Sequence, residues 1–151
     1  MSWSLICLAV AQAITVDPMT HADITVRVIS AKTGRPMAGA PVRLSVNSRG
    51  RNAGIWAFDE RASTATDGTA VFRVAPLPER GSIFVTEIAA DYCSPPIYEL
   101  DRVIGTGVAE FRGCPHRSIK GFALPPKPGK IVMYIGEYSR LERALYFPWA
   151  N

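Results

Sequence analysis

The strongest constraint on this chain is a series of short segments whose apolar residues recur at every second position, with glycine- and proline-bearing turns between them. Asp23 to Ser30 reads DITVRVIS, placing Ile24, Val26 and Val28 on one side and Thr25, Arg27 and Ile29 on the other. A period of two built from β-branched residues marks a half-buried strand, because successive side chains leave a strand on opposite faces. Ala40 to Val46 repeats the pattern, with Val42, Leu44 and Val46 inward and Arg43 and Ser45 outward. Pro41 cannot donate to a strand ladder, which suits an edge strand or the first residue of one. Thr69 to Val74 is the next strand, with Phe72 and either Val71 or Val74 directed to the core. Ser82 to Ala90 sets Ile83, Val85 and Glu87 against Phe84, Thr86 and Ile88, and Lys130 to Ile135 is a strongly apolar final strand. Ile55 to Phe58, Ile97 to Ile104 and Gly107 to Phe111 are weaker strand segments.

Turn chemistry separates these runs. Lys32 to Pro36, Ala65 to Gly68 and Pro76 to Gly81 are turns, and Gly105-Thr106-Gly107 reads as a hairpin turn. Asn47 to Gly54 is a polar, glycine-bearing loop, and Arg112 to Gly129 is a long connection broken by Gly and Pro. Ser139 and Glu142 have capping-box spacing, and Leu141 and Leu145 lie four apart, so a short carboxy-terminal helix is expected before Pro148. Twelve Gly and twelve Pro in 151 residues argue against a helix bundle. The expectation is an all-β, antiparallel Greek-key β-sandwich of about seven or eight strands. A chain of this length buries one core, so residues 14–151 form one domain.

Residues 3–13, WSLICLAVAQA, resemble the end of a secretory signal peptide, with an apolar stretch and a small-x-small site at Ala11-Gln12-Ala13. The segment lacks a basic start and is shorter than the usual ~15–30 residues. Both departures fit a start lying inside a longer signal, so residues 1–13 are expected to be a truncated leader and the protein to be secreted or periplasmic; the other reading of the segment is an ordinary first strand. Removing them takes Cys7 and leaves Cys93 and Cys114. An even count in an exported chain reads as one disulfide. Such a bridge closes a loop worth roughly 3 kcal/mol in the chain-entropy model. The other readings are free core thiols, or a metal site from Cys93, Cys114, His116 and Asp91. The paired spacing typical of zinc ligands is not present.

Seventeen Lys and Arg against thirteen Asp and Glu give a net charge of +4. The basic residues are dispersed, unlike the striped footprint of a nucleic-acid binder, so no nucleic-acid partner is expected. The exception is a run free of acids that holds Arg112, Arg117, Lys120, Lys127 and Lys130. It reads as a solvated loop or as an anion-attracting patch. No apolar run reaches the ~18–20 residues that span a bilayer. Residues 139–151 carry Tyr146, Phe147 and Trp149 with Arg140 and Arg143, a composition suited to weak membrane-surface contact or to packing over an open end of the sandwich.

From residue 24 to residue 75, ITVRVISAKTGRPMAGAPVRLSV followed by TATDGTAVFRV is similar to the transthyretin-like (prealbumin-like) sandwich, including the carboxypeptidase regulatory-like domains. The shared elements are a G-x-P-x-x-G-A turn (Gly34, Pro36, Gly39, Ala40) and a T-D-G turn (Thr66, Asp67, Gly68) before a strand with Phe72. The resemblance implies that the first turn returns the first strand as an antiparallel neighbour, and that the second starts a strand in the other sheet. It covers about a third of the chain and says more about fold than about function. Hydroxyisourate hydrolases resemble the same stretch, but their catalytic His would fall on Arg27 and their Asp on Ser30. An arginine stays protonated and cannot serve as a general base near neutral pH. Intradiol dioxygenases hold iron with an H-x-H pair, whereas this chain has only His21 and His116, far apart. His21 reads as a solvated linker residue. The carboxylates Asp59-Glu60, and Glu99 with Asp101, read as polar outer faces.

The functional expectation is an exported, non-catalytic binding or structural-interaction module at the cell envelope, without cofactor, whose partner is a protein or a glycan. Its contact residues are expected to be Trp56 with Arg49 and Arg51 of the adjoining loop, or Arg112, Arg117 and Lys120 of the loop held by a Cys93–Cys114 bridge. The rival reading is a divergent hydrolase or metal-dependent enzyme using Cys93, Cys114 and His116.

Overall fold

The computed structural model describes residues 20–48, 56–87, 97–112 and 123–136. Its elements, in chain order, are β1 (Ala22–Ser30), β2 (Pro41–Ser48), β3 (Trp56–Ser63), β4 (Thr69–Val74), β5 (Gly81–Thr86), β6 (Ile97–Glu99), α1 (Leu100–Gly105), β7 (Val108–Arg112) and β8 (Lys130–Ile135). They form two four-stranded sheets, ordered β4-β1-β8-β7 and β3-β2-β5-β6. The protein is an all-β sandwich, with one short helix among the described residues.

The alternation read from the sequence is what closes it. Ile24, Val26 and Val28 of β1, Val42, Leu44 and Val46 of β2, Phe72 and Val74 of β4, and Ile83 and Val85 of β5 share one core with Ile131, Met133 and Ile135 of β8. Leu100 and Val103 of α1 join the same core. Each large side chain taken fully from water adds about 1.5–3 kcal/mol. Val71 is 63% exposed, so of the two valines in that strand it is Val74 that points inward.

The connections depart from expectation in instructive ways. β1 and β2 lie in different sheets, so the Gly34-to-Ala40 segment is a crossover between layers and not a hairpin. Its bonds go to β1 and to the residue after β3: Ser30 donates its N–H to Arg35, Met37 donates to Val28, and Gly39 donates to Thr64. Pro41 is the first residue of a central strand, which leaves its missing donor harmless without an edge position. The sandwich is not purely antiparallel, because β8 pairs in parallel with both β1 and β7.

The expected strand from residue 97 to residue 104 is split, with β6 ending at Glu99 and α1 taking Leu100 to Gly105. Leu100, Val103 and Ile104 have helical spacing, and the first two are buried. Asp101 is therefore on the helix and does not share a strand face with Glu99. Gly105-Thr106-Gly107 is the exit of α1, where Gly107 donates to Arg102 and Val103, and not a hairpin turn. β3 runs to Ser63, well past the expected end at Phe58, because its outward half is charged and pairs with β2 across its length. The expected helix after residue 139 lies outside the described residues.

Gly68 shows why the T-D-G turn takes glycine. It sits at φ 76°, and a Cβ there would lie 2.7 Å from the Val28 carbonyl. Its own carbonyl accepts from the Val28 N–H, so the turn is bonded directly to β1.

Candidate functional site

The most differentiated surface is the outer face of the β3-β2-β5-β6 sheet. Because Phe58 and Val46 point inward, Asp59, Ser45 and their alternates point out. Register then arranges these residues in rows. Arg61 lies opposite Arg43, which lies opposite Thr86. Asp59 lies opposite Ser45, then Phe84, then Ile97. Trp56 lies opposite Asn47, then Ser82. A register shift between Val46 and Asn47 re-aims the start of β3 and brings Trp56 onto this face.

Two groups of side chains result. In the first, Trp56 meets Phe84 edge-on, with ring centroids 5.2 Å apart and planes at 86°. This is a favoured geometry for two quadrupolar rings. Trp56 remains 50% exposed and Ile97 53% exposed, so the pair opens an apolar strip to solvent.

The second group is ionic. Arg43 donates from Nε to Asp59 Oδ1 at 2.8 Å and from Nη2 to Oδ2 at 2.5 Å, a bidentate pair. Ser45 Oγ donates to Asp59 Oδ1 at 2.7 Å. Arg43 and Arg61 face each other across the strands, which alone would repel. Glu87 relieves this, with Oε1 2.7 Å from Arg61 Nη2 and 3.7 Å from Arg43 Nη1. It does so from the left-handed region at φ 62°, uncommon for a residue with a side chain.

The hydrogen bonds from Arg43 and then Ser45 lower the Asp59 carboxyl to about 2. Asp59 raises Arg43 in return, by hydrogen bond and by charge. A carboxylate held this firmly ionised is a poor proton acceptor near neutral pH. The cluster is suited to orienting and recognising, not to moving protons. It was not legible as a cluster in the sequence, where Asp59 stood beside Glu60. Only the strand register carries Asp59 to Ser45 and Arg43.

The expected contact residues fall as follows. Trp56 is the first residue of β3 and forms part of this face. Arg112 ends β7 in the other sheet, so the backbone places it on a different layer from Trp56. Arg49, Arg51, Arg117, Lys120, Cys93, Cys114 and His116 lie outside the described residues. Phe58 is a core residue. His21 is exposed, with Nε2 3.2 Å from Arg73 Nη2. Among the described residues no group of three His, Cys, Asp or Glu side chains is placed to hold a metal ion, and no described helix is long and apolar enough to cross a membrane.

No protein-family model matches the chain, and no curated protein matches it.

Proposed function

We propose that this chain is a non-catalytic binding module of the transthyretin-like, carboxypeptidase regulatory-like kind, exported to the cell envelope, where it engages a protein partner through the outer face of the β3-β2-β5-β6 sheet. The observation that carries this reading is a half-exposed Trp56, braced by Phe84 and set beside a closed network of Arg43, Asp59, Arg61 and Glu87. Trp and Arg dominate the energetics of protein interfaces when they are held on a rigid support. Here the support is a paired sheet, so little side-chain freedom remains to be lost on binding. Export is supported by the leader-like residues 3–13.

Two measurements test the reading. The intact mass of protein from its host, before and after reduction with alkylation, should show a chain beginning at Ile14 with two thiols released only by reduction. An unprocessed chain with three free thiols contradicts export. For the binding face, Trp56→Ala should lower the fraction retained on the host's envelope proteins about tenfold or more while the fold persists. Retention equal to the wild type removes this face as the contact. Retention abolished by glycan-cleaving treatment of the envelope would assign the same face to a glycan instead.

A further inference from the structure

A concavity lies on the other layer, over the outward residues of β4, β1 and β8. It encloses about 250 Å3, and Arg27, Lys127 and Lys130 line it. At ~30 Å3 per water-sized group, that is room for about eight such groups. Arg27 projects from mid-β1, opposite Thr69 of β4 and Val132 of β8. The far wall is the segment at residues 124–127, which is tied down at several points. The Leu124 N–H donates to Tyr134 Oη at 2.5 Å. Gly129 donates to Val103, Lys130 donates to the Lys127 carbonyl, and Thr25 donates to Gly129. At Gly107, φ is 77° and any Cβ would overlap the Lys127 carbonyl, so the wall lies directly against the exit of α1.

The charges are unbalanced. Three cations line the cavity with one carboxylate, Asp67. Asp67 is held in its own turn, where Oδ1 accepts from the Thr69 N–H at 3.0 Å and from the Thr69 hydroxyl at 2.6 Å, and it also feels the charge of Arg27, which leaves the two lysines in excess. No ion pair among the described residues engages Arg27, Lys127 or Lys130. Arg27 Nε is buried without a hydrogen-bond partner. The guanidinium fork matches the paired oxygens of an oxyanion. Leu124 and Val132 supply an apolar side to the same space.

We propose that this cavity is a binding site for a small phosphate monoester, its dianionic head on Arg27, Lys127 and Lys130 and its short organic part against Leu124 and Val132. The excess of two positive charges matches a dianion, and the apolar wall favours an ester over the inorganic ion. The same head group occurs on soluble esters and on anionic lipids, so the experiment separates the two sources. The site is on the opposite layer from Trp56, and its success or failure is independent of the partner-binding face.

The test uses the full chain, calorimetric titration and glycerol 3-phosphate as the probe, with glycerol as the neutral control. The expected result is saturable binding of glycerol 3-phosphate that weakens with added salt, and no binding of glycerol. Arg27→Gln should weaken it at least about tenfold, and Lys127→Gln by a smaller factor. Lys127 is exposed, so its variant keeps the test informative if Arg27→Gln fails to fold. Co-sedimentation with phosphatidylcholine vesicles, with and without phosphatidic acid, forms the second arm. Binding to phosphatidic acid vesicles alone, lost in Lys127→Gln, assigns the lipid source, and binding of the free ester assigns the soluble one. The proposal is overturned if neither probe binds, if glycerol binds as well as its phosphate, or if binding is unchanged in Lys127→Gln.

Discussion

Thr64 is a buried hydroxyl with two backbone partners. Its Oγ1 accepts from the Ala40 N–H at 2.9 Å and donates to the Met37 carbonyl at 2.5 Å. Its own N–H and C=O pair with Ala40 and Gly39. One side chain thus joins the end of β3 to the crossover that carries the chain from one sheet to the other. Thr64→Val keeps the shape and strands both backbone groups, so denaturant unfolding should show a loss of about 1–3 kcal/mol. Asp59 allows a prediction in pH. Its folded carboxyl lies near 2 against an ordinary 3.8. The stabilisation it contributes is fully present above the ordinary value and is lost as pH falls from about 4 towards about 2. Its side chain is 31% exposed, so solvent screening keeps the effect small. Stability curves of the wild type and Asp59→Asn should converge across that window, and parallel curves would mean that the ion network contributes nothing. None of this was readable from the sequence: Thr64 carried no motif, and Asp59 gained its partners only through register.

At the scale of elements, alternation was a reliable guide and connection was not. β4 falls where the period of two placed it, with burial alternating along the strand, and β8 falls where its continuous apolar run placed it, buried on both faces. The 97–104 segment failed because a short run with Leu100, Val103 and Ile104 fits a half-buried strand as well as one turn and a half of helix. Tertiary contact with the core decided it. The parallel pairing of β8 with β1 and β7 joins segments distant in sequence, and no local signal encodes it. The segment at residues 123–129 makes a prediction at this scale. Gly107→Ala combines a left-handed backbone with overlap against the Lys127 carbonyl. It should cost about 1–3 kcal/mol from backbone conformation alone. It should also shift the amide resonances of Lys127 and Lys130 in a heteronuclear correlation spectrum. Unchanged stability would mean that this segment is not clamped to α1.

For the whole molecule, the sandwich presents two chemically distinct outer faces. One bears an apolar strip around Trp56 beside balanced charges, and the other bears a cationic hollow around Arg27. The sequence singled out Trp56 and the basic run, but not the faces they occupy. Lys127 and Lys130 belong with Arg27 only because β8 pairs with β1. The most direct test of the binding-module reading is site-specific photo-crosslinking in the host, with the photoreactive residue at position 56 or, as control, at Val71 on the opposite sheet, 63% exposed. The account predicts one discrete protein adduct from position 56, absent from position 71 and lost in Arg61→Glu. No adduct from position 56, or the same adducts from both positions, would contradict it.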